Sequence, residues 1–318
     1  MYVAALLYLC IMIKYLYCDK GFSEIEEWCE GCWVKVTRPT GEEIDSLQKR
    51  FGIPADFLED IQDIDERPRM EKDGDWVLAI LRIPVDNRGQ SVVFSTTPVG
   101  VMIKGNIVIT VCNFSNGILH DFIDHSQKRN IDISSPYDFI LRLLDSSAYW
   151  FIRYINAIRD ESAKAEGKLE QSVRNKDLLQ LLQLQKSLVI FSTSLKGNLL
   201  LIERLQRLSP ETIDHELLED VDIELRQADT TVEVATAMLD RTLDTYANVI
   251  SNNVNAIMKR LTSISVILMV PTLIASFYGM NVDIGISMTN HMAFWIIIGI
   301  AVVLTGITCL WLRWIKWL

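Results

Sequence analysis

Two uninterrupted apolar stretches dominate the hydropathy of this 318-residue chain. Leu261 to Tyr278 and Met292 to Leu312 hold no charged residue, and each is close to the roughly 20 helical residues that cross the hydrocarbon of a bilayer. Both are expected to be transmembrane helices. Lys259 and Arg260 precede the first, Arg313 and Lys316 follow the second, and Gly279 to His291 between them has no Lys or Arg. Basic residues mark the cytoplasmic side, so both termini are expected in the cytoplasm and the short loop outside. Tyr2 to Ile13 is also apolar, but it is too short to span and has neither a basic residue ahead of it nor a small-residue cleavage site after it. Residues 1–11 therefore read as an extension ahead of a more natural beginning at Met12.

Between these segments the periodicity changes once. From about Cys32 to Cys112 the apolar positions fall in short β-rich runs, Trp33 to Thr37, Trp76 to Ile83, Val92 to Ser95 and Ile107 to Val111, separated by Gly, Asn, Asp and Pro. A capping-box pattern at Thr40-Gly41-Glu42-Glu43 and Pro54 ahead of Phe57, Leu58 and Ile61 announce two helices among them. After Pro136 the strand signals stop. Tyr137 to Asp160, Lys164 to Leu208 and Glu211 onward are Leu-rich with helical spacing, broken mainly at Gly167 and Ser209-Pro210. Glu211 to Tyr278 fits one helix about 100 Å long. The expected organisation is an α+β cytoplasmic domain (12–135), a cytoplasmic helical stalk (136–258), a first transmembrane helix (259–279), an outer loop (280–291), a second transmembrane helix (292–312) and a cytoplasmic tail (313–318).

The long helix from Glu211 to Tyr278 carries a second pattern. Steps alternating between four and three from Asp244 meet Asn248, Ser251, Asn255, Met258, Thr262, Ser265, Met269, Thr272 and Ser276, a seven-residue repeat that is polar, small or thioether where a coiled-coil core wants Leu or Ile. Inside a bilayer such groups face protein or water. The stripe is therefore either one wall of a water-filled path or a helix-packing face, since small and hydroxyl residues also join transmembrane helices. One helix cannot enclose a path, so the first reading requires several copies around an axis.

Composition narrows the partners. A formal charge of −10 argues against nucleic acid, whose phosphates need clustered Lys and Arg, and fits either attraction of cations or an ordinary solubilising surface. Cys29 and Cys32 form a lone CxxC without the second pair or nearby histidines of a zinc site. Gly100 to Asn106 half imitates a phosphate loop but has Asn106 and Ile107 where Lys and Ser/Thr belong, and no Gly-x-Ser-x-Gly elbow occurs. An enzyme is not expected, nor an organic cofactor.

Tyr278-Gly279-Met280-Asn281, at the end of the first apolar helix and the start of a short loop, resembles the signature of the CorA family of magnesium channels. With Asn255, Met258, Leu261, Ser265, Met269 and Thr272 behind it, the resemblance runs from about Met12 to Leu318. It implies a funnel-shaped homo-pentamer in the cytoplasmic (inner) membrane, with the first transmembrane helix lining a pore for Mg²⁺, with Co²⁺ and Ni²⁺ as further candidate ions, and the second facing lipid. The heptad count puts Thr262 on the axis where the family places its hydrophobic gate at Leu261. The resemblance further implies that Glu59, Asp60 and Asp220, in Leu58-Glu59-Asp60-Ile61 and Glu219-Asp220-Val221-Asp222, hold regulatory Mg²⁺ between protomers. Without it, these residues read first as solvated acidic helix faces. Asp244 resembles an acidic ring at the cytoplasmic mouth and reads as well as an ordinary stalk charge.

The hydration of Mg²⁺ bears on the entrance. The ion dehydrates reluctantly, so a ring of neutral Asn281 amide oxygens accepting hydrogen bonds from its water shell suits rapid passage. Asn255 would form a second ring, and Met258, Leu261 and Met269 apolar constrictions. Gly279 permits a tight turn at the helix end, and Met280 reads as packing. Two other functions compete: a zinc transporter of the same superfamily, and a membrane-anchored structural or sensing protein without a pore.

Overall fold

The computed structural model describes residues 13–87, 92–114, 117–133, 135–171, 175–208, 213–280, 291–315 and 317, apart from the side chains of 168–171, 175, 291 and 293. The extension expected at residues 1–11 lies outside the described residues. The chain forms two compact units, divided after Leu243.

The first unit opens with a sheet of seven strands, β1 (Ile13–Cys18), β2 (Phe22–Ile25), β3 (Trp33–Thr37), β4 (Arg69–Asp73), β5 (Trp76–Asp86), β6 (Phe94–Lys104) and β7 (Ile107–Cys112), in the order β2-β1-β3-β7-β6-β5-β4. Every neighbouring pair is antiparallel except β3 with β7. Trp76 to Leu81 of β5 are buried without alternation, as expected of a strand covered on both faces. On one face lie α1 (Gly41–Phe51) and α2 (Ala55–Gln62), whose Leu47, Phe57, Leu58 and Ile61 join Val34, Val36, Leu78, Ile80, Met102 and Ile109 in one apolar core. The capping box is formed: Glu43 N–H donates to Thr40 Oγ1 at 3.3 Å and Thr40 N–H to Glu43 Oε2 at 2.7 Å. A Cβ at Gly100 would stand 2.3 Å from Ile61 Cδ1, so glycine lets α2 seat directly on β6.

The expected strand Val92 to Ser95 is corrected to Phe94–Lys104, which runs through Pro98 and Gly100. Proline lacks an N–H for the ladder, and the register explains its place. Pro98 faces Arg82 of β5, while β7 has ended opposite Gly100, so the missing donor falls on a side with no strand. Arg82 turns its own backbone outward to Asn198: Arg82 N–H donates to Asn198 Oδ1 at 3.0 Å and Asn198 Nδ2 to Arg82 O at 2.8 Å. The asparagine, fully buried, replaces β4, which does not reach Arg82. Asn198→Ala should cost about 3 kcal/mol through the two orphaned backbone groups, read as a lowered melting temperature of the detergent-solubilised protein.

The helices that follow are α3 (Ile118–Lys128), α4 (Pro136–Gln171), α5 (Asn175–Leu208) and α6 (His215–Tyr278). The break expected at Gly167 does not occur: α4 runs through it, and nothing lies within 4 Å of a Cβ built there. A solvent-facing glycine inside a helix costs only about 1 kcal/mol. Ser209-Pro210 lie outside the described residues, and α6 is capped by Asp214, whose Oδ1 accepts from the N–H groups of Glu216 and Leu217 at 3.0 and 3.2 Å. Its upstream half buries Val221, Leu225, Ala228, Val232, Ala235 and Leu239, an apolar seam in steps of four and three. Gln185 Nε2 to Asp240 Oδ1 at 2.6 Å and Lys196 Nζ to Glu233 Oε1 at 3.1 Å tie this half to α5.

The second unit holds the rest of α6 and α7 (His291–Trp314). Both helices are long and apolar enough to cross a membrane, and both leave most of their apolar stretch uncovered. Pro271 lies inside α6, where it removes one backbone donor.

Candidate functional site

In the second unit the heptad stripe and the packing face of α6 are on opposite sides. Ser263 is fully buried, and Val266, Ile267, Val270, Pro271, Ile274 and Tyr278 are half-buried. Pro271, Ile274, Ala275 and Tyr278 line an apolar cleft of about 550 Å³ with Phe294, Ile297 and other residues of α7. Ser263 Oγ lies 2.8 Å from Lys259 O and 3.2 Å from Trp317 O, closing the other end of this face. At 3.6 residues per turn, the stripe falls roughly across the helix from it. Asp244, Asn248, Ser251, Asn255, Met258, Thr262, Ser265, Met269, Thr272 and Ser276 are all exposed. Met258 and Met269 of the stripe, 53% and 64% exposed, and Leu261 beside it, 58% exposed, are uncovered too. Leu261 and Thr262, the two alternatives for the gate, are both open.

The hydroxyls of the stripe are oriented by their own helix. Ser265 Oγ donates to Leu261 O at 3.0 Å and Thr272 Oγ1 to Leu268 O at 2.7 Å. A hydroxyl has one proton and two lone pairs, so once the proton is used within the helix the oxygen presents acceptors outward. Such a surface suits donors, among them the water shell of a cation.

At the end of α6, Gly279 N–H donates to Ala275 O at 3.0 Å and Met280 N–H to Phe277 O at 3.3 Å. Gly279 is not in the left-handed region, and a Cβ there would meet Ala275 O at 3.4 Å, an ordinary contact. The tight turn expected of this glycine is thus not what its backbone requires within one chain. Met280 is 48% exposed. Asn281 lies outside the described residues.

The acidic positions belong to the first unit, except Asp244. Glu59 and Asp220 are exposed and Asp60 is half-buried. Asp60 is not free: its Oδ2 accepts from Arg69 Nη2, while Arg69 Nη1 reaches Glu66 Oε1 and Arg69 Nε lies 3.5 Å from Glu71 Oε2. The loop carrying Glu66 is held by Arg82, which donates from Nη1 to Ile64 O at 3.1 Å and Glu66 O at 2.8 Å, and from Nε to Thr96 Oγ1 at 2.9 Å. Burial pulls the Arg82 guanidinium down from its ordinary range, against the opposing pull of Asp65, Asp63 and Glu66. Asp222, beside Asp220, is paired at 2.7 Å with Arg226. Among the described residues no group of three or more His, Cys, Asp or Glu is placed to hold a metal ion. One copy of the chain brings Asp60 to an arginine.

Comparison with known proteins agrees with the helical and sheet architecture. Residues 29–314 match the family described as CorA-like Mg²⁺ transporter protein. The chain is 30% identical over 283 residues to the cobalt/magnesium transport protein CorA of Methanocaldococcus jannaschii, covering 86% of each chain. It is 23% identical over 292 residues to the cobalt/magnesium transport protein CorA of Thermotoga maritima, covering 90% of this chain and 83% of that one. The complete structure of the CorA magnesium transporter from M. jannaschii superposes with a TM-score of 0.82 at 24% identity, covering 95% of this chain and 98% of that one. With two apolar helices of membrane-crossing length, this chain is a membrane protein of the CorA-like Mg²⁺ transporter family.

Proposed function

We propose that the chain is one subunit of a homo-oligomeric channel, pentameric by family resemblance, through which Mg²⁺ enters the cell down the membrane potential. The observation that carries this reading is the stripe from Asp244 to Ser276, uncovered on the side of α6 away from α7. Copies of α6 standing around an axis would turn this stripe inward and leave α7 toward lipid. Rings of Asn255, Ser265 and Thr272 oxygens would then take over part of the second hydration shell of an ion that keeps its inner water. Met258, Leu261 and Met269 would narrow the path with apolar collars able to stop flow by excluding water. Asn281 would form the outer ring. At Gly279 a methyl group fits within one chain, so close approach of neighbouring copies is the natural reason for a glycine.

No ATP is needed for such a path. A potential of about 100 mV is worth about 2.3 kcal/mol per elementary charge, hence roughly 4.6 kcal/mol for a divalent cation. Lys259 and Arg260 before the first span and Arg313 after the second orient both termini to the cytoplasm of an inner membrane. There Mg²⁺ held between protomers by Asp60 and Asp220, with Glu59 beside them, would keep the ring closed. Carboxylates of two subunits repel unless a cation lies between them, so its loss favours opening.

The test is Mg²⁺ entry into proteoliposomes containing the purified oligomer. Entry that rises with inside-negative potential and needs no proton gradient is expected. Zn²⁺ uptake that requires a proton gradient, with no Mg²⁺ entry, would assign the chain to zinc transport instead. Silence toward every divalent ion would leave a structural or sensing role.

A further inference from the structure

We infer that Arg69 is a built-in competitor of the regulatory cation: its guanidinium occupies Asp60 in the cation-free protomer and sets how much Mg²⁺ is needed to close the ring. The inference rests on the reading of Asp60 as a regulatory carboxylate. Arg69 starts β4, directly after Arg67-Pro68, and meets three carboxylates: Asp60 at the end of α2, Glu66 in the loop, and Glu71 two residues along the strand.

Both sides of the contact are anchored independently of it. The α2 end is fixed by Asn113 Nδ2 donating to Ile61 O at 3.1 Å and by Asp63 N–H donating to Asp60 O at 3.2 Å. The loop is fixed by Arg82 on the carbonyls of Ile64 and Glu66. Arg69 is fixed by β4, where it pairs with Ile80 of β5. The guanidinium is therefore delivered to Asp60 by the fold and does not search for it. A planar fork of five donors matches carboxylates bidentately, which suits one arginine bridging two acids.

The side chains of Arg69 and Asp60 are 30% and 32% exposed, open enough for a hydrated cation to reach the same carboxylate. A Mg²⁺ ion that comes to Asp60, directly or through its water shell, meets a carboxylate whose charge is already balanced. Either the guanidinium withdraws to Glu66 and Glu71 or the two cations repel across the shared oxygen pair. Both outcomes weaken the ion's hold on Asp60. Glu66 and Glu71 give the displaced guanidinium a place to stay, so exchange requires a side-chain rotation and no unfolding.

Inhibition of flux by Mg²⁺ on the cytoplasmic face of the full-length oligomer tests this directly. In Arg69→Gln, half-inhibition should occur at roughly two- to five-fold lower Mg²⁺ than in wild type, the range that removing one partly exposed ion pair supplies. Arg69→Lys, which keeps a charge but not the fork, should fall between the two. The same order should appear in the Mg²⁺ concentration that protects each oligomer from limited proteolysis, a readout independent of conduction and available for the lysine variant if the glutamine variant does not assemble. Unchanged or higher half-inhibition in Arg69→Gln, or in Arg69→Lys alone if only that variant assembles, would overturn the inference while Asp60→Ala still relieves inhibition. If Asp60→Ala with Asp220→Ala leaves inhibition intact, it is the regulatory reading itself that fails.

Discussion

Asn281→Ala should reduce potential-driven Mg²⁺ entry at least roughly tenfold in an oligomer that elutes and melts like wild type. The reason is the chemistry at the end of α6. The helix stops at Tyr278, Gly279 and Met280 close its last turn, and Asn281 follows directly in the sequence, at the outer end of the span. An amide oxygen there accepts a hydrogen bond from ion-bound water without stripping it, whereas alanine offers a methyl group and leaves the hydrated ion without a partner at the entrance. Asn281→Asp is the informative companion: it keeps the acceptor and adds charge, so entry should persist with altered preference among divalent ions. If Asn281→Ala conducts like wild type, the selectivity of this chain lies elsewhere along the helix.

The second large effect is expected deeper in the membrane. Thr272→Leu should lower entry at least roughly tenfold, while Thr308→Leu in α7 should leave it within about twofold. The two threonines are locally alike, since Thr308 Oγ1 donates to Leu304 O at 2.9 Å as Thr272 Oγ1 does to Leu268 O at 2.7 Å. Thr272 is exposed and Thr308 half-buried in one copy of the chain. They differ in the element that carries them: Thr272 lies on the side of α6 turned away from α7, and Thr308 lies on α7 itself. A purely structural role for hydroxyls predicts equal tolerance at both positions. Flux measured in proteoliposomes at matched protein content separates these outcomes.

The regular elements were legible where one physical signal acted alone. Trp33–Thr37 is a run of β-formers bounded by turn residues and appears with those bounds. The α1 start was written in four residues, because a capping box is a local arrangement. β4 was not readable: of Arg-Met-Glu-Lys-Asp only Met70 is buried, as suits an edge strand that presents charge to water. β6 was cut short because Pro98 and Gly100 signal turns locally, and only the register with Arg82 and the end of β7 makes them acceptable in a strand.

The candidate site divides the same way. The polar stripe is a periodic property of one helix, so it could be counted from residue numbers. Which face α7 covers is a tertiary fact, and in one copy of the chain it leaves the stripe open. The buried seam from Val221 to Leu239 is equally periodic, and steps of four and three begun at Val221 trace it. Asp60 was found through resemblance alone, and its arginine was hidden because it lies at the start of a strand with no apolar pattern. Arg67-Pro68-Arg69, basic residues directly after an acidic run, is the signal that could have pointed to such a pair.

The uncovered face of α6 is expected to meet water in the membrane. Single cysteines at Asn255, Met258, Ser265, Met269 and Thr272, and for comparison at Val266, Val270 and Ile274, can be introduced into a chain whose own cysteines are replaced by serine. Each variant is then treated with a charged, water-soluble methanethiosulfonate reagent during Mg²⁺ flux. Modification and loss of flux at the first group, slowed by Mg²⁺, with little reaction at the second, is the predicted result. Equal reactivity on both faces, or none on the stripe while Mg²⁺ still enters, would contradict it.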